Sequence, residues 1–330
     1  MTLKFGVYRK ENFDVRERGT YKYPLYAQYG IETHILAELN KVGTDPRNMQ
    51  MMPADGYAHI FGKKEDVFNY DIIEFVDGEI HTIDLPWELI KKGKKVVCRI
   101  WTKPEYKKVY DTYADNISYL FSWNMPAPLV QPHSYTVIPN AVETDFFGFR
   151  QPNPNPKPLK IGYLGILVYW KGHQFIERIV ADLVDNKKAD VELHMFGRED
   201  EKPIDHPAIK YHGLITDRNE VPKAFQSFDI YSLPWNPKTE PDAYWVVGGE
   251  SISCGLPVVS FNCGSAREFI DSGKNGYMAN SLEDMANKLM IYTDPKTLQE
   301  HSYHSRVKAL HKFHPEVISA QMAKFLHSIK

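Results

Sequence analysis

The chain has 330 residues, 43% of them hydrophobic, and a formal net charge of −2. That length and apolar content support one large core or two smaller ones, and about 150 residues per domain favours two. The near-neutral charge gives no indication of strong electrostatic capture of nucleic acid or anionic lipid, a local patch aside, and no apolar run reaches the roughly 18 residues that a membrane-crossing helix needs.

Taken in chain order, KFGVY reads as a short buried strand, followed by a long loop rich in charge and aromatics, RKENFDVRERGTYKYPLYAQYG. Tyr21, Tyr23, Tyr26 and Tyr29 in that loop offer aromatic faces with polar tips, which suit a sugar or a base as well as they cover a core. Residues 31–42 read as a helix, YDIIEFV, KVVCRIW and NISYLFS as strands, and residues 104–114 as another helix. KKGKK, residues 91–95, reads as a helix C-terminus with favourable charge against the helix dipole, and residues 1–153 carry 19 Lys and Arg against 20 Asp and Glu, so no strong basic surface is indicated.

Residues 151–158, QPNPNPKP, have the stiff, extended preference of a linker. Beyond it LKIGYLG, DVELHMFG, DIYSLPW and PVVSFN repeat the alternation of strands with helices, which implies a parallel sheet covered on both faces. The expected fold is therefore α/β, with two Rossmann-like, doubly wound domains facing each other across a cleft and ligands at the C-terminal ends of the strands. His301, His304, His311 and His314 fall loosely on one side of a helix that Pro315 ends; with no acidic or cysteine partner nearby they read as surface histidines rather than zinc ligands. Cys98, Cys254 and Cys263 have no close spacing and read as small buried residues. MTLKFGVYRK lacks a signal-peptide core, so the expectation is cytoplasmic residence, free or peripheral to a membrane.

Residues 229–276 carry the strongest chemical signal. DIYSL is a strand, Pro234 and Pro237 break it, Asp242 stands where a helix N-cap belongs, and Gly255 ends a helix expected over residues 243–254. A helix entered from such a loop directs free N–H groups and about half a positive charge at whatever precedes it, which suits an anion such as a diphosphate. Asp242 and Glu250 stand about 80° apart around the helix and about 12 Å apart along it, so they can meet two parts of one extended ligand. Read alone, Asp242 is equally an N-cap and Glu250 a solvated helix residue.

The segment resembles the signature of retaining glycosyltransferases of family 4, in which Glu, seven residues and Glu precede a small-residue stretch, Gly, any residue and Pro-Val. Here that pattern is Asp242, Glu250 and CGLPVV. VIPNAVETDFF (137–147), IGYLGILVYWKG (161–172), ELHMFGRED, IKYHGLI, FDIYSLPW and AREFIDSGKNGYM match further blocks of that family in order, and YGIETHILAELNKVG resembles its first helix. The likeness is strong over residues 135–280 and weak before them.

The resemblance implies a GT-B fold with an acceptor-side domain of residues 1–153 plus 315–330 and a nucleotide-sugar donor domain of residues 154–314. The amphipathic segment 315–329 is then the helix that crosses back to the first domain. It implies transfer of a hexose from a UDP- or GDP-sugar, with no cofactor required and an acceptor that is left open: glycan, lipid, protein or nucleic acid. Gly165 and Lys171 match the glycine loop and the diphosphate-binding lysine; Glu250 is implied to hold the nucleotide ribose, Asp242 the donor sugar, and Tyr244, Trp245 and Val246 to present backbone N–H groups to the diphosphate. With no Asp-x-Asp triplet in the chain, metal independence is expected.

Three positions depart from the pattern. Ile166 stands where the family has an arginine, and Arg198, or Arg16 and Arg18 in the first long loop, are the candidates to replace it. Asp242 is one methylene shorter than the usual Glu, and Trp101 falls near the family's usual histidine. Arg16, Arg18, Tyr29, Gly30 and Trp101 are the acceptor-side candidates. Two alternatives follow from these departures: a nucleotide-sugar or glycan binder without turnover, and a nucleotide-sugar epimerase of the same fold.

Overall fold

The computed structural model describes residues 2–8, 20–36, 61–76, 80, 83–100, 103–122, 135–235 and 246–330. The chain forms two compact units, Met1–Ala141 with His314–Lys330, and Val142–Phe313.

The first unit is built on a parallel sheet of strands β1 (Leu3–Tyr8), β2 (Ile31–Leu36), β3 (Phe61–Gly62), β4 (Ile72–Val76), β5 (Lys95–Ile100), β6 (Ser118–Phe121) and β7 (Tyr135–Val137), in the order β3-β2-β1-β4-β5-β6-β7. KFGVY, YDIIEFV, KVVCRIW and NISYLFS are thus strands, as their apolar runs predict, and helix Lys103–Tyr113 lies where a helix is expected. KKGKK closes helix Leu85–Lys91.

The helix expected from residue 31 onward is corrected: Ile31–Leu36 is a strand, paired in parallel with β1 from Leu3↔Ile31 to Tyr8↔Leu36. Ile31, Ile35 and Leu36 fit one face of a helix, but a strand covered on both faces also carries apolar residues at both parities, and β-branched Ile31, Thr33 and Ile35 favour it. Residues 37–42 lie outside the described residues.

Helix Pro315–Ile329 completes this unit. Its Ile318, Met322, Phe325 and Leu326 are buried in one cluster with Leu3, Phe5, Ile72 and Val97 of the sheet and with Tyr26 and Tyr29 of the 3-10 helix Thr20–Tyr29. Burying each such large apolar side chain contributes about 1.5–3 kcal/mol. Within the sheet Arg99 donates to both oxygens of Glu74 at 3.0 and 3.1 Å, and both side chains are buried.

The second unit has a six-stranded parallel sheet, β8 (Leu159–Leu164), β9 (Val191–Phe196), β10 (Ile209–Tyr211), β11 (Ile230–Leu233), β12 (Val258–Phe261) and β13 (Gly276–Ala279), in the order β10-β9-β8-β11-β12-β13. Helix His173–Asp185 buries Ile176, Ile179, Val180 and Leu183, the i, i+3, i+4, i+7 stripe of an amphipathic helix, in one cluster with Leu159, Ile161, Leu193 and Met195.

The unit begins at Val142, ahead of the Pro/Asn-rich stretch, because residues 142–150 are hydrogen-bonded into it. Val142 N–H donates to Phe313 O at 2.8 Å, Arg150 N–H to Cys254 O at 3.0 Å, and Arg306 Nη1 to Thr144 O at 2.7 Å. His301 is corrected from a surface residue: on helix Pro295–Phe313 it is buried, with Nδ1 2.9 Å from the Tyr292 hydroxyl, and burial lowers its pKa. His304 and His311 are exposed and His314 is half-buried. Cys98 and Cys254 are buried, Cys263 half-buried, and none is in a disulfide.

Candidate functional site

In the second sheet the strand order reverses between β8 and β11, so the loops that leave these two strands flank the switch point at which open α/β sheets bind ligands. The loop after β8 begins at Gly165, whose N–H donates to Phe196 O at 2.9 Å, while Leu167 N–H donates to Arg198 O at 2.9 Å. These bonds hold it against the loop after β9. The approach is close: Gly197 has φ of +147°, and a Cβ there would stand 1.8 Å from Gly165 O, so this position admits only glycine.

Three tyrosine hydroxyls fix the two loops from below. Tyr163 donates to Ile166 O at 2.9 Å, Tyr231 to Leu164 O at 3.0 Å and Tyr211 to Gly197 O at 2.8 Å. Burial raises the pKa of Tyr163 and Tyr211, which keeps both phenols protonated as donors.

Past Leu167 the chain makes a single 3-10 turn, Tyr169–Lys171, and Gly172 adopts the left-handed conformation at φ +69°. A Cβ on Gly172 would lie 1.9 Å from Pro234 O, so the turn rests directly on the chain leaving β11. Lys171 stands between two indoles: its Nζ is 5.2 Å from the Trp170 ring centroid and 5.6 Å from that of Trp235, and the two rings meet edge to face at 5.8 Å. Cation–π attraction of this kind is worth about 0.5–1 kcal/mol at an exposed site. The ammonium therefore stands at the switch point, beside the N-terminal end of the 13-residue helix His173–Asp185 with its partial positive charge.

Arg198 follows Gly197, and its guanidinium grips Asp200 with Nε and Nη2 at 2.6 and 2.8 Å, which holds the Asp200 carboxyl below its ordinary pKa. Gly165, Lys171 and Arg198 thus share the edge formed by the loops after β8 and β9.

Glu250 lies on helix Val246–Ser253, beyond β11. It is only 4% exposed, which removes the reading of a solvated helix residue. Its neighbour Cys254 has a thiol pKa pushed up, first by burial and then by the Glu250 carboxylate. Gly248 and Gly249 serve packing: a Cβ on Gly248 would meet the Phe269 ring at 2.8 Å, and one on Gly249 would meet Val142 Cγ2 at 2.6 Å. Gly255 N–H donates to Ile252 O at 3.0 Å and Leu256 N–H to Ser251 O at 3.1 Å, a Schellman closure that ends the helix where the glycine predicts. Val246 is half-buried at the first position of this helix.

Asp242, Tyr244 and Trp245, and on the other unit Arg16, Arg18 and Trp101, lie outside the described residues. In the first unit Tyr29, half-buried against the core, ends the 3-10 helix with its carbonyl oxygen 3.1 Å from His327 Nε2, and the Gly30 carbonyl accepts from Leu3 N–H at 3.0 Å. Among the described residues no group of three or more His, Cys, Asp or Glu is placed to hold a metal ion, and no helix is long and apolar enough to cross a membrane.

No sequence motif points to Trp235, which reaches Lys171 only through the fold. The tyrosine hydroxyls were equally hidden. A third group, His173 with Glu177 and Glu201, was visible in part as a His and Glu at helical i, i+4 spacing directly after Lys171-Gly172.

Residues 158–293 match the family model of glycosyl transferases group 1. A comparison with curated proteins finds no match. Among solved structures, HepE of Anabaena in complex with UDP is similar at 14% identity over 99% of this chain and 100% of that one, with a TM-score of 0.71. A sucrose-phosphate synthase from Thermosynechococcus elongatus is similar at 12% identity over 99% and 98%, with a TM-score of 0.68. A glycosyltransferase from Rickettsia africae is similar at 16% identity over 99% and 98%, with a TM-score of 0.67. The fold is GT-B, with two Rossmann-like units and a C-terminal helix that returns to the first, as the sequence motifs predict.

Proposed function

We propose that this protein is a retaining glycosyltransferase that moves a hexose from a UDP- or GDP-sugar to an acceptor in the cytoplasm, without a bound metal. One observation carries the reading: Lys171 is held at the switch point of the second sheet, on a glycine-bounded turn beside a helix N-terminus. Breaking the bond between the anomeric carbon and the diphosphate leaves negative charge on the phosphate, and a preorganised cation there lowers the barrier. At about 4 Å and an effective dielectric of 20 such a charge pair contributes ~4 kcal/mol.

In this reading the Val142–Phe313 unit holds the donor. Lys171 neutralises the departing diphosphate, with Gly165 giving it room and Arg198 on the neighbouring loop; Glu250 accepts hydrogen bonds from the ribose hydroxyls, as a carboxylate does well. Asp242 meets the donor sugar, and the amides of Tyr244, Trp245 and Val246 meet the phosphates. Arg16, Arg18, Tyr29, Gly30 and Trp101 belong to the acceptor side. HepE was solved with UDP and with UDP-glucose, which makes UDP-glucose the first donor to try.

Ile166, where the family has an arginine, supports a second reading, a nucleotide-sugar binder without turnover. Incubation with UDP-, GDP- and ADP-sugars, with nucleotide release and sugar configuration followed together, separates the readings. Release in the presence of an acceptor supports transfer, binding with no release supports the binder, and an epimerised sugar nucleotide rejects both in favour of an epimerase.

A further inference from the structure

Two residues beyond Lys171 the chain buries a histidine and a glutamate, with a second, half-exposed glutamate against them, that the proposed transfer does not use. His173, 2% exposed, opens the helix His173–Asp185. Its Nδ1 lies 2.6 Å from Glu177 Oε1 one turn along the helix, and its Nε2 lies 3.2 Å from Glu201 Oε2 on the loop after β9. The second oxygen of each carboxylate accepts from the backbone: Glu177 Oε2 from Ile204 N–H at 2.9 Å and Glu201 Oε1 from Tyr169 N–H at 2.7 Å. Tyr169 is the first residue of the turn that carries Lys171.

A neutral imidazole has one N–H and satisfies one of two flanking carboxylates; the imidazolium satisfies both. The titratable groups facing the ring are Glu177 on its own helix, Glu201 on the loop after β9, and Tyr163 on β8, whose ring stands edge-on at 6.5 Å and whose hydroxyl is committed to Ile166 O. The Lys171 ammonium is directed at Trp170 and Trp235.

We propose that His173, as an imidazolium held between Glu177 and Glu201, is a positioning residue that ties the turn of residues 169–172 to the loop after β9 and so fixes the Lys171 ammonium. The proposal rests on the donor-site reading above and adds a pH dependence to it. Burial lowers the His173 pKa, but the hydrogen bonds and charges of Glu177 and Glu201 outweigh it and leave the pKa raised. A raised folded-state value means that the clasp is complete below the ordinary value of about 6.5 and opens as pH rises through the higher folded one. Deprotonation removes one N–H and leaves a carboxylate facing a ring lone pair.

The test follows two readouts from pH 6 to 9: hydrogen exchange at the Tyr169 amide without nucleotide, corrected for intrinsic exchange, and UDP-glucose affinity by calorimetry. A UDP-sugar diphosphate does not titrate in this range. In the wild type, amide protection and affinity fall together by about tenfold, the effect of losing one charge-assisted hydrogen bond. His173→Gln, which cannot titrate, gives flat profiles, and Glu201→Gln, at a half-exposed position that leaves the fold intact, removes the same inflection. A wild-type profile without inflection overturns the proposal, as does the same inflection in either variant. An inflection in Tyr169 protection with no UDP-glucose binding at any pH overturns the donor-site reading and the link to Lys171, while locating the failure there and not in the clasp.

Discussion

Replacing Lys171 by alanine removes a cation from the switch point while leaving the turn around it intact, since Gly172 and the Tyr169 amide set the backbone there. An ammonium about 4 Å from a diphosphate oxygen contributes ~4 kcal/mol at an effective dielectric of 20. To reach the phosphate it gives up its contact with the indoles of Trp170 and Trp235, at 5.2 and 5.6 Å, a loss of ~1 kcal/mol. The remaining ~3 kcal/mol corresponds to about a hundredfold in kcat/KM, divided between donor binding, because the bound diphosphate is already charged, and kcat, because further charge develops as the leaving group departs. The assay is the initial rate of nucleotide release over a range of UDP-glucose and acceptor concentrations, with circular dichroism as the control for folding. Lys171→Arg, which keeps the charge in a different shape, is expected to recover part of the rate. A folded Lys171→Ala variant with an unchanged kcat/KM would refute the assignment of this loop to the diphosphate.

Glu250→Gln is expected to weaken UDP-glucose binding about tenfold with the circular dichroism spectrum retained; a variant that unfolds identifies a structural carboxylate instead. Gly197→Ala, whose methyl would stand 1.8 Å from a backbone oxygen at φ +147°, should cost more than ~3 kcal/mol because backbone has to move. A melting temperature within about 2 °C of wild type would contradict that geometry. Arg99→Met alone takes the guanidinium away from the buried Glu74 carboxylate and should destabilise the first unit by ~3–5 kcal/mol, whereas Arg99→Met with Glu74→Leu should restore most of it. Urea midpoints decide the matter: equal losses in the single and double variants would mean that the pair itself, and not the buried charge left behind, carries the cost.

What the sequence made legible depended on whether a residue's partners lay nearby in the chain. Strands such as LKIGYLG and PVVSF stand out because both faces are covered, so apolar residues follow one another and flanking glycines and prolines mark the ends. The stretch IETHIL failed for a physical reason: Ile31, Ile35 and Leu36 satisfy a helical stripe and a doubly covered strand equally, and pairing with β1 decides between them. The burial of His301 is hidden in the sequence because its Tyr292 partner belongs to the preceding 3-10 turn, and one buried histidine on a mostly polar helix leaves no periodic mark. At the candidate site, Gly165, Lys171 and Glu250 are carried by local motifs, while groups that pack against the turn of Lys171 come from elsewhere. Trp235 arrives from the end of β11 and Glu201 from the loop after β9, and no spacing in the sequence announces either.

The return of helix Pro315–Ile329 to the first unit also has a consequence for the order of synthesis. The face formed by Leu3, Phe5 and Ile72 is translated first and receives Ile318, Met322 and Leu326 last, after the whole of Val142–Phe313 has been made. At about 5–20 residues per second, that interval lasts roughly 10–35 s, during which the earlier sheet waits with an apolar flank open. The later-made unit is continuous in sequence and can close its core first. A chain cut off between residues 313 and 315 would therefore carry a second unit complete in sequence and a first one still lacking its last helix, the reverse of the order in which they were started.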